Sequence, residues 1–176
     1  FPSICDVIRN LSGMWQLLFK DKYVRYFDVP QNYVDSIGGT FYIEELGVLR
    51  DDLGKLRGAP ITDAELNASI RVYNDNRAAI RDLYAYRAAK PWQAPTAEVY
   101  LVLRAGMVLP VEEHTQLVRD YIAAADTVPR PKRDNARVVL TGAFCEQPPL
   151  ALIKSIEMAG CYIVEDDFML VTRWLL

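Results

Sequence analysis

Residues 137–164 read RVVLTGAFCEQPPLALIKSIEMAGCYIV, and their pattern predicts a strand, a helix and a second strand in succession. The apolar, β-branched run 137–141 is typical of a short buried strand, and 142–147 predicts a turn. Pro148 suits the first turn of a helix, Gly160 ends that helix, and the apolar run 161–164 follows it. Two strands joined through a helix pair in parallel, with a right-handed crossover. We therefore expect an α/β fold.

The first thirty residues predict a helix followed by a strand. Apolar residues repeat at helical spacing after Cys5, with Asp6 as the expected N-cap. The run 23–29 is aromatic and β-branched and ends at Pro30, a pattern that indicates a strand.

The middle of the chain is predicted to be helical. One apolar stripe runs over residues 42–56, where Gly58 and Pro60 predict the end of the helix. A second stripe runs from Leu66 to about Arg87 behind a capping box formed by Thr62 and Glu65. A polar, proline-bearing linker follows at 129–135.

Three regions result from this pattern. Residues 1–30 are the end of a first α/β lobe, 31–130 a helical segment, and 131–176 the start of a second α/β lobe. The expected architecture is a helix-rich middle segment joined to a parallel-sheet βαβ lobe of the Rossmann or flavodoxin type.

Composition narrows the classes of function. The chain has 176 residues, half of them hydrophobic, and a net charge of −3 without a basic stripe, which argues against a nucleic-acid partner. No apolar run is long enough to span a membrane. Three widely spaced cysteines argue against a disulfide framework and for a reducing cytoplasm. The chain begins at Phe1 rather than at a methionine, so we expect it to come from a longer protein.

Cys5 is a candidate metal ligand because it lies at or just before a helix N-terminus. Unpaired N–H groups and the helix dipole favour a thiolate there, and the thiolate is the form that binds metals. A buried structural thiol is the alternative, and one cysteine cannot hold a cluster without ligands from elsewhere.

The turn after the first predicted strand is a candidate substrate site. Ligands of open α/β sheets bind at the carboxyl ends of the strands, and this turn leaves such an end. Gly142 allows close approach of the backbone, and Glu146 and Gln147 offer polar groups at the start of the helix. The turn matches no nucleotide-binding motif, and a plain connector is the alternative.

Other polar groups are interpreted as structural or solvated. The acids at 165–167 and the group Glu112-Glu113-His114 are expected to face solvent, with His114, the only histidine, at the surface. Asn and Asp are poor residues for a helix interior, so the group 74–77 hints at a polar contact, and a solvated face is the alternative. Cys161 lies in an apolar run and is interpreted as a small buried hydrophobe.

Four segments, collinear along the chain, resemble the benzoyl-CoA reductase/2-hydroxyacyl-CoA dehydratase family (the 2-hydroxyglutaryl-CoA dehydratase D-component family). Residues 5–9 resemble its Cys-Asp-x-x-Arg segment, and 26–31 resemble the strand and proline that follow. Residues 73–77 are similar to its Tyr-Asn-x-Asn-Arg helix, and 137–167 to the strand–helix–strand–Asp-Asp pattern of its second lobe. The Cys-Glu-Gln-Pro-Pro form at 145–149 is similar to the smaller active-site subunit of the family's ATP-dependent ring reductases.

The resemblance implies a function for the chain. It implies part of an iron–sulfur subunit of an ATP-dependent, low-potential acyl-CoA reductase that reduces the aromatic ring of benzoyl-CoA. Cys5 would be one ligand of a 4Fe-4S cluster completed by cysteines outside this chain, whereas Cys145 and Cys161 receive no ligand role. The implied partners are a homologous sister subunit, an ATP-dependent electron-activating iron–sulfur protein and the acyl-CoA substrate.

Two other functions stay open. The chain could belong to a 2-hydroxyacyl-CoA dehydratase subunit, or to a non-catalytic module that keeps the family fold and binds the sister subunit. Family subunits are longer than this chain, so we expect the chain alone neither to assemble a complete cluster nor to turn over.

Overall fold

The computed structural model describes residues 1–3, 5–142 and 148–168. By their internal contacts the residues form two compact units, Phe1–Leu66 and Asn67–Leu176. The boundaries expected from composition, after residues 30 and 130, remain a prediction.

The first unit is largely helical. Helix α1 spans Asp6–Leu18, a π-helical turn covers Asp35–Gly39, and helix α2 runs over Thr40–Arg57. Gly58 ends α2 in the left-handed conformation (φ 78°), in agreement with the predicted stop. The N-cap of α1 is Cys5 rather than the expected Asp6, which is the first helical residue and places its carboxylate in the first turn.

The prediction of a strand at residues 23–29 is wrong. The segment is extended, but it forms only an isolated parallel bridge between Pro2 and Phe27. Phe27 donates its amide to the carbonyl of Phe1 at 2.7 Å and accepts the amide of Ser3 at 2.9 Å. The aromatic and β-branched residues of this segment favour a strand. However, among the described residues only the short segment 1–3 pairs with it, and this segment is too short to form a ladder.

Helix α3 spans Asp63–Ala89 and begins at the predicted capping box. The amide of Thr62 donates to the Glu65 carboxylate at 2.8 Å, and the amide of Glu65 donates to Thr62 Oγ1 at 3.2 Å. These reciprocal bonds satisfy amide groups that a helix start leaves unpaired.

The second unit combines helices with a small sheet. After α3 come α4 (Thr96–Ala105), α5 (Val111–Ala125), β1 (Ala136–Leu140), α6 (Leu150–Met158) and β2 (Cys161–Asp166). Its core is formed by fully buried aliphatic side chains from the helices and β2: Ile80, Leu83, Val99, Leu103, Val118, Ile153 and Ile163. Each of them contributes about 1.5–3 kcal/mol of burial free energy, which holds α6 and the sheet against α3 and α4.

Strands β1 and β2 are paired in parallel, so the α/β class and the parallel βαβ unit are confirmed. The register is irregular, because Val138 faces Ile163 whereas Val139 faces Glu165. Val164 is therefore an extra residue in β2, which changes the alternation of side chains between the two faces. As a result Ile163 and Asp166, three positions apart, are both buried.

His114 is buried, contrary to the surface position expected from sequence. The side-chain amide of Asn76 donates to His114 Nδ1 at 3.0 Å and to Thr115 Oγ1 at 2.9 Å, and His114 Nε2 donates to the carbonyl of Val102 at 3.2 Å. Asn76 thus makes the polar contact that its place inside a helix indicated. A Cβ atom at Gly106 would lie 2.6 Å from the imidazole ring, so the turn after α4 passes directly against it.

Candidate functional site

Cys5 lies exposed at the N-terminal end of α1. Its backbone is extended (φ −159°, ψ 170°), and its side chain makes no capping hydrogen bond. Helix α1 starts at the next residue, and residues 1–3 are hydrogen-bonded to residues 25–29. The thiol is accordingly accessible at a helix start.

The segment that holds the N-terminus is itself anchored on α2. Arg25 donates to Glu45 at 2.8 Å and to Asp52 at 3.3 Å, while its carbonyl accepts the terminal ammonium of Phe1 at 2.9 Å. Ser3 Oγ accepts the amide of Val29 at 2.7 Å. These bonds connect the surroundings of Cys5 to the helical part of the first unit.

Cys5 opens into a polar cavity of about 390 Å³. Asp6, Arg9, Tyr26 and Asp28 are among its lining residues, so it combines two carboxylates, a guanidinium and a phenol. The guanidinium of Arg9 lies over the Tyr26 ring, 5.6 Å from its centroid, and hydrogen bonding to Tyr26 raises the pKa of Arg9 above its usual value. A permanent cation therefore borders the cavity that contains the thiol.

The donor atoms in the first unit fit one ligand position of an iron–sulfur cluster. A thiolate is the natural ligand of such clusters, and each iron of a cubane cluster needs one protein ligand. Within residues 1–3, 5–142 and 148–168, no three His, Cys, Asp or Glu side chains are grouped closely enough to hold a metal ion. A cluster bound at Cys5 would therefore need its other ligands from outside these residues.

The second candidate, the turn after β1, is partly described. Gly142 lies exposed at the carboxyl end of β1, and its amide donates to Asp167 Oδ1 at 3.2 Å. The amide of Asp167 in turn donates to the carbonyl of Leu140 at 3.1 Å. The ends of both strands are therefore tied together where the turn begins. Glu146 and Gln147, the other proposed substrate contacts, lie outside the described residues.

Asp166 was expected in solvent, but it is buried beside this turn. Its carboxylate accepts a hydrogen bond from Arg87 at 2.6 Å and another from the Tyr84 hydroxyl at 3.0 Å, and the side chains of the ion pair are 1% and 2% exposed. The Arg87 guanidinium also lies over the Tyr84 ring, 4.5 Å from its centroid. This cluster fixes the carboxyl end of β2 on α3. The sequence signal that could have revealed it is an arginine in the apolar stripe of α3.

The structure places the two candidate sites in different units. Cys5 belongs to Phe1–Leu66, and Gly142 belongs to Asn67–Leu176. Cys161, which the sequence analysis interpreted as a small buried hydrophobe, is half-buried at the start of β2. Among the described helices, none is both long and apolar enough to cross a bilayer.

A two-stranded parallel sheet whose strands are joined through a helix, together with a large helical part, places the chain in the class of mixed α/β proteins. Within that class, this chain belongs to the family described as 2-hydroxyglutaryl-CoA dehydratase, D-component, whose model matches residues 1–176. The resemblance inferred from the four segments is thereby confirmed.

Two relatives show the range of the family. The chain is 63% identical over 175 residues to one subunit of the benzoyl-CoA reductase of Thauera aromatica, covering 99% of this chain and 45% of that subunit. It is 30% identical over 173 residues to the beta subunit of the lactoyl-CoA dehydratase of Anaerotignum propionicum, covering 98% of this chain and 45% of that subunit. The chain thus spans less than half the length of these relatives. The relatives are subunits of enzymes, which supports a role in an enzyme complex.

Proposed function

We propose that the chain is part of an iron–sulfur subunit of an ATP-dependent, low-potential reductase that acts on the aromatic ring of benzoyl-CoA. The observation that carries this proposal is the 63% identity to a benzoyl-CoA reductase subunit, maintained over 99% of the chain. The 30% identity to the beta subunit of lactoyl-CoA dehydratase makes dehydration of a 2-hydroxyacyl-CoA the second candidate. The identity to the reductase subunit is about twice the identity to the dehydratase subunit, and this difference favours the reductase.

The role proposed for Cys5 is to provide one thiolate ligand of a 4Fe-4S cluster, with the other ligands outside this chain. Its exposure and its position at the start of α1 support this role, because a ligand must be accessible and the helix start favours a thiolate. When bound, the cluster would supply single electrons at low potential. Arg9 would hold a positive charge beside it and Tyr26 would orient Arg9, so that the protein balances part of the negative charge of the thiolates.

The partners follow from the same proposal. The complex would contain a homologous sister subunit, and an ATP-dependent iron–sulfur activator would supply the electrons. The free thiols at Cys5 and Cys161 support a reducing compartment, the cytoplasm. Gly142, with Glu146 and Gln147 beyond it, would contact the acyl-CoA at the carboxyl ends of the strands.

The test is a Cys5→Ser variant of the full-length subunit, purified anaerobically as part of its complex. We expect it to lose the equivalent of one cluster in iron and sulfide content, to lose the corresponding signal in electron paramagnetic resonance, and to lose reduction of benzoyl-CoA. Asn10→Ser is the matched control, since Asn10 is exposed on the same helix.

Each outcome has a distinct meaning. If the Cys5→Ser complex kept the iron content and the ring reduction of the wild type, the ligand role of Cys5 would be refuted and a non-catalytic module would be favoured. A wild-type complex that dehydrates a 2-hydroxyacyl-CoA, but leaves benzoyl-CoA unchanged, would replace the reductase by the second candidate.

A further inference from the structure

A second cavity, of about 440 Å³, lies in the unit Asn67–Leu176 at the end of the sheet where the strands begin. Asn135, just before β1, and Cys161 and Tyr162, the first residues of β2, line it. It is therefore at the opposite end of the strands from Gly142. Its volume falls in the range of roughly 300–1,000 Å³ typical of sites for small molecules.

The walls of this cavity are largely apolar and aromatic. Trp92 and Tyr162 provide rings, and Pro95 and Met158 complete the apolar surface. Tyr162 is held in place because its hydroxyl accepts the backbone amide of Arg133 at 2.8 Å. The Trp92 ring lies beneath the Lys132 ammonium, 4.7 Å from the ring centroid. Two aromatic rings in one cavity are suited to a planar ligand.

The charges around the cavity have an excess of cations. Arg130 is neutralised by Glu98, with both carboxylate oxygens at 2.9 Å. The carboxylate of Glu157 accepts the amide of Thr96 at 2.8 Å, so its charge is directed to the start of α4. Arg133 and Lys154 also line the cavity, and neither has a carboxylate partner among the described residues.

We propose that this cavity binds a nucleoside phosphate. The base would stack on Trp92 and Tyr162, because every nucleobase has a π-face that an aromatic side chain can cover. The phosphates would contact Arg133 and Lys154, since guanidinium groups bind phosphate oxygens in pairs and ammonium groups bind them as point charges. Two unpaired cations on separate elements match a ligand with two or more negative charges better than a single carboxylate does.

Two sources share this chemistry: a free adenine nucleotide, and the phosphoadenosine end of a CoA thioester. Only the CoA source rests on the function proposed above, because the acyl-CoA is the substrate there. Binding of a free nucleotide uses neither Cys5 nor the turn at Gly142. Protection by ADP but not by acetyl-CoA would therefore support this site even if the proposed function failed, and a failure of this site would leave the role of Cys5 untouched.

Cys161 provides a local readout, because it lines the cavity and is half-buried. The full-length complex, without an activator, is treated anaerobically with N-ethylmaleimide, and alkylation of Cys161 is followed by peptide mass spectrometry. ADP, acetyl-CoA, adenosine and inorganic diphosphate are added in separate arms. We expect ADP or acetyl-CoA to slow alkylation more than adenosine or diphosphate does. Stronger protection by ADP would identify a free nucleotide as the source, and stronger protection by acetyl-CoA would identify the thioester.

The double variant Arg133→Gln/Lys154→Gln should raise the nucleotide concentration needed for protection by about 100-fold, about tenfold for each charge-assisted hydrogen bond removed. Both side chains are exposed, so the fold should be kept. Arg81→Gln is the matched control, because Arg81 is an exposed arginine of α3 outside the cavity, and it should leave protection unchanged. Absence of protection by either nucleotide, equal protection by diphosphate alone, or protection that the double variant does not weaken would overturn the proposal.

Discussion

Arg87 and Asp166 form the ion pair on which the carboxyl end of β2 depends. Both side chains are almost completely buried, and the Tyr84 hydroxyl provides a second hydrogen bond to the carboxylate. A buried pair of this kind adds little free energy over an apolar pair of the same shape, but removal of one partner leaves an uncompensated charge. The arrangement therefore fixes how the chain folds here more than it raises stability.

We predict that Asp166→Asn lowers the free energy of unfolding by about 3–5 kcal/mol, because Arg87 would remain charged and buried. Urea unfolding of the subunit that contains this chain measures the change. Glu165→Gln, at the exposed neighbouring position, should change the free energy by less than about 0.5 kcal/mol. Equal effects of the two variants would contradict this account of the ion pair.

His114 should make stability depend on pH. Burial lowers its pKa below the usual 6.5, although the hydrogen bond to the Val102 carbonyl opposes the shift. The unfolded chain therefore takes up a proton at a higher pH than the folded chain does. Stability is fully present above about pH 6.5 and falls as the pH decreases from there towards the folded pKa.

The measurement is the free energy of unfolding of the same subunit between about pH 7.5 and pH 5, a window that brackets the ordinary histidine pKa, for the wild type and for His114→Gln. We expect the difference between the two to shrink as the pH falls, because only the wild type loses stability through imidazole protonation. A difference that is constant over this range would show that His114 has an ordinary pKa.

At the scale of single elements, the start of α3 provides the clearest case of local sequence setting structure. Hydrogen bonds from Arg57, and then from Thr62, lower the pKa of Glu65 to about 2, so the capping carboxylate stays ionised across the physiological range. The charged acceptor of the capping box is therefore kept across that pH range.

Thr62→Ala should destabilise the subunit by about 1 kcal/mol, because the Glu65 amide loses its acceptor. Thr62→Ser keeps the hydroxyl and should restore most of the loss. Thermal unfolding of both variants tests this, and equal melting temperatures for Ala and Ser would show that the cap contributes nothing.

Helices and the βαβ unit could be predicted because their signals are local. Gly58, the capping box at Thr62 and the apolar runs around β1 and β2 indicate the elements that the structure contains. The burial of Asp166 could not be predicted in this way. It depends on the extra residue Val164, which moves the following side chains of β2 to the other face of the sheet, and this shift is defined only by the pairing with β1. Periodicity within one strand cannot report a shift of register between two.

Partners distant in sequence explain the remaining errors. His114 is buried because Asn76, 38 positions earlier, donates to it, and the segment at residues 23–29 is not a strand because only a single bridge pairs with it. At the candidate site, the sequence indicated that Cys5 lies at a helix start and Gly142 at the end of a strand, and both residues are exposed at those places. Their roles as cluster ligand and substrate contact stay predictions.

At the scale of the whole molecule, the chain spans less than half the length of the two subunits that it was compared with. Several large apolar side chains of the first unit are exposed, among them Val7, Met14, Leu17 and Leu18 on α1. Exposed apolar side chains on one helix are typical of surfaces that contact other protein segments. The role proposed for Cys5 would likewise require ligands from outside the described residues.

The close approach of Gly106 to His114 has a consequence for how the helices of the second unit tolerate change. A methyl group at position 106 would occupy space that the imidazole fills, and the ring is bonded to Val102 on α4 and to Asn76 on α3. Displacing the ring would therefore disturb α3, α4 and α5 at once. A turn that would ordinarily accept insertions and side chains of many sizes is thus among the least permissive positions of this unit.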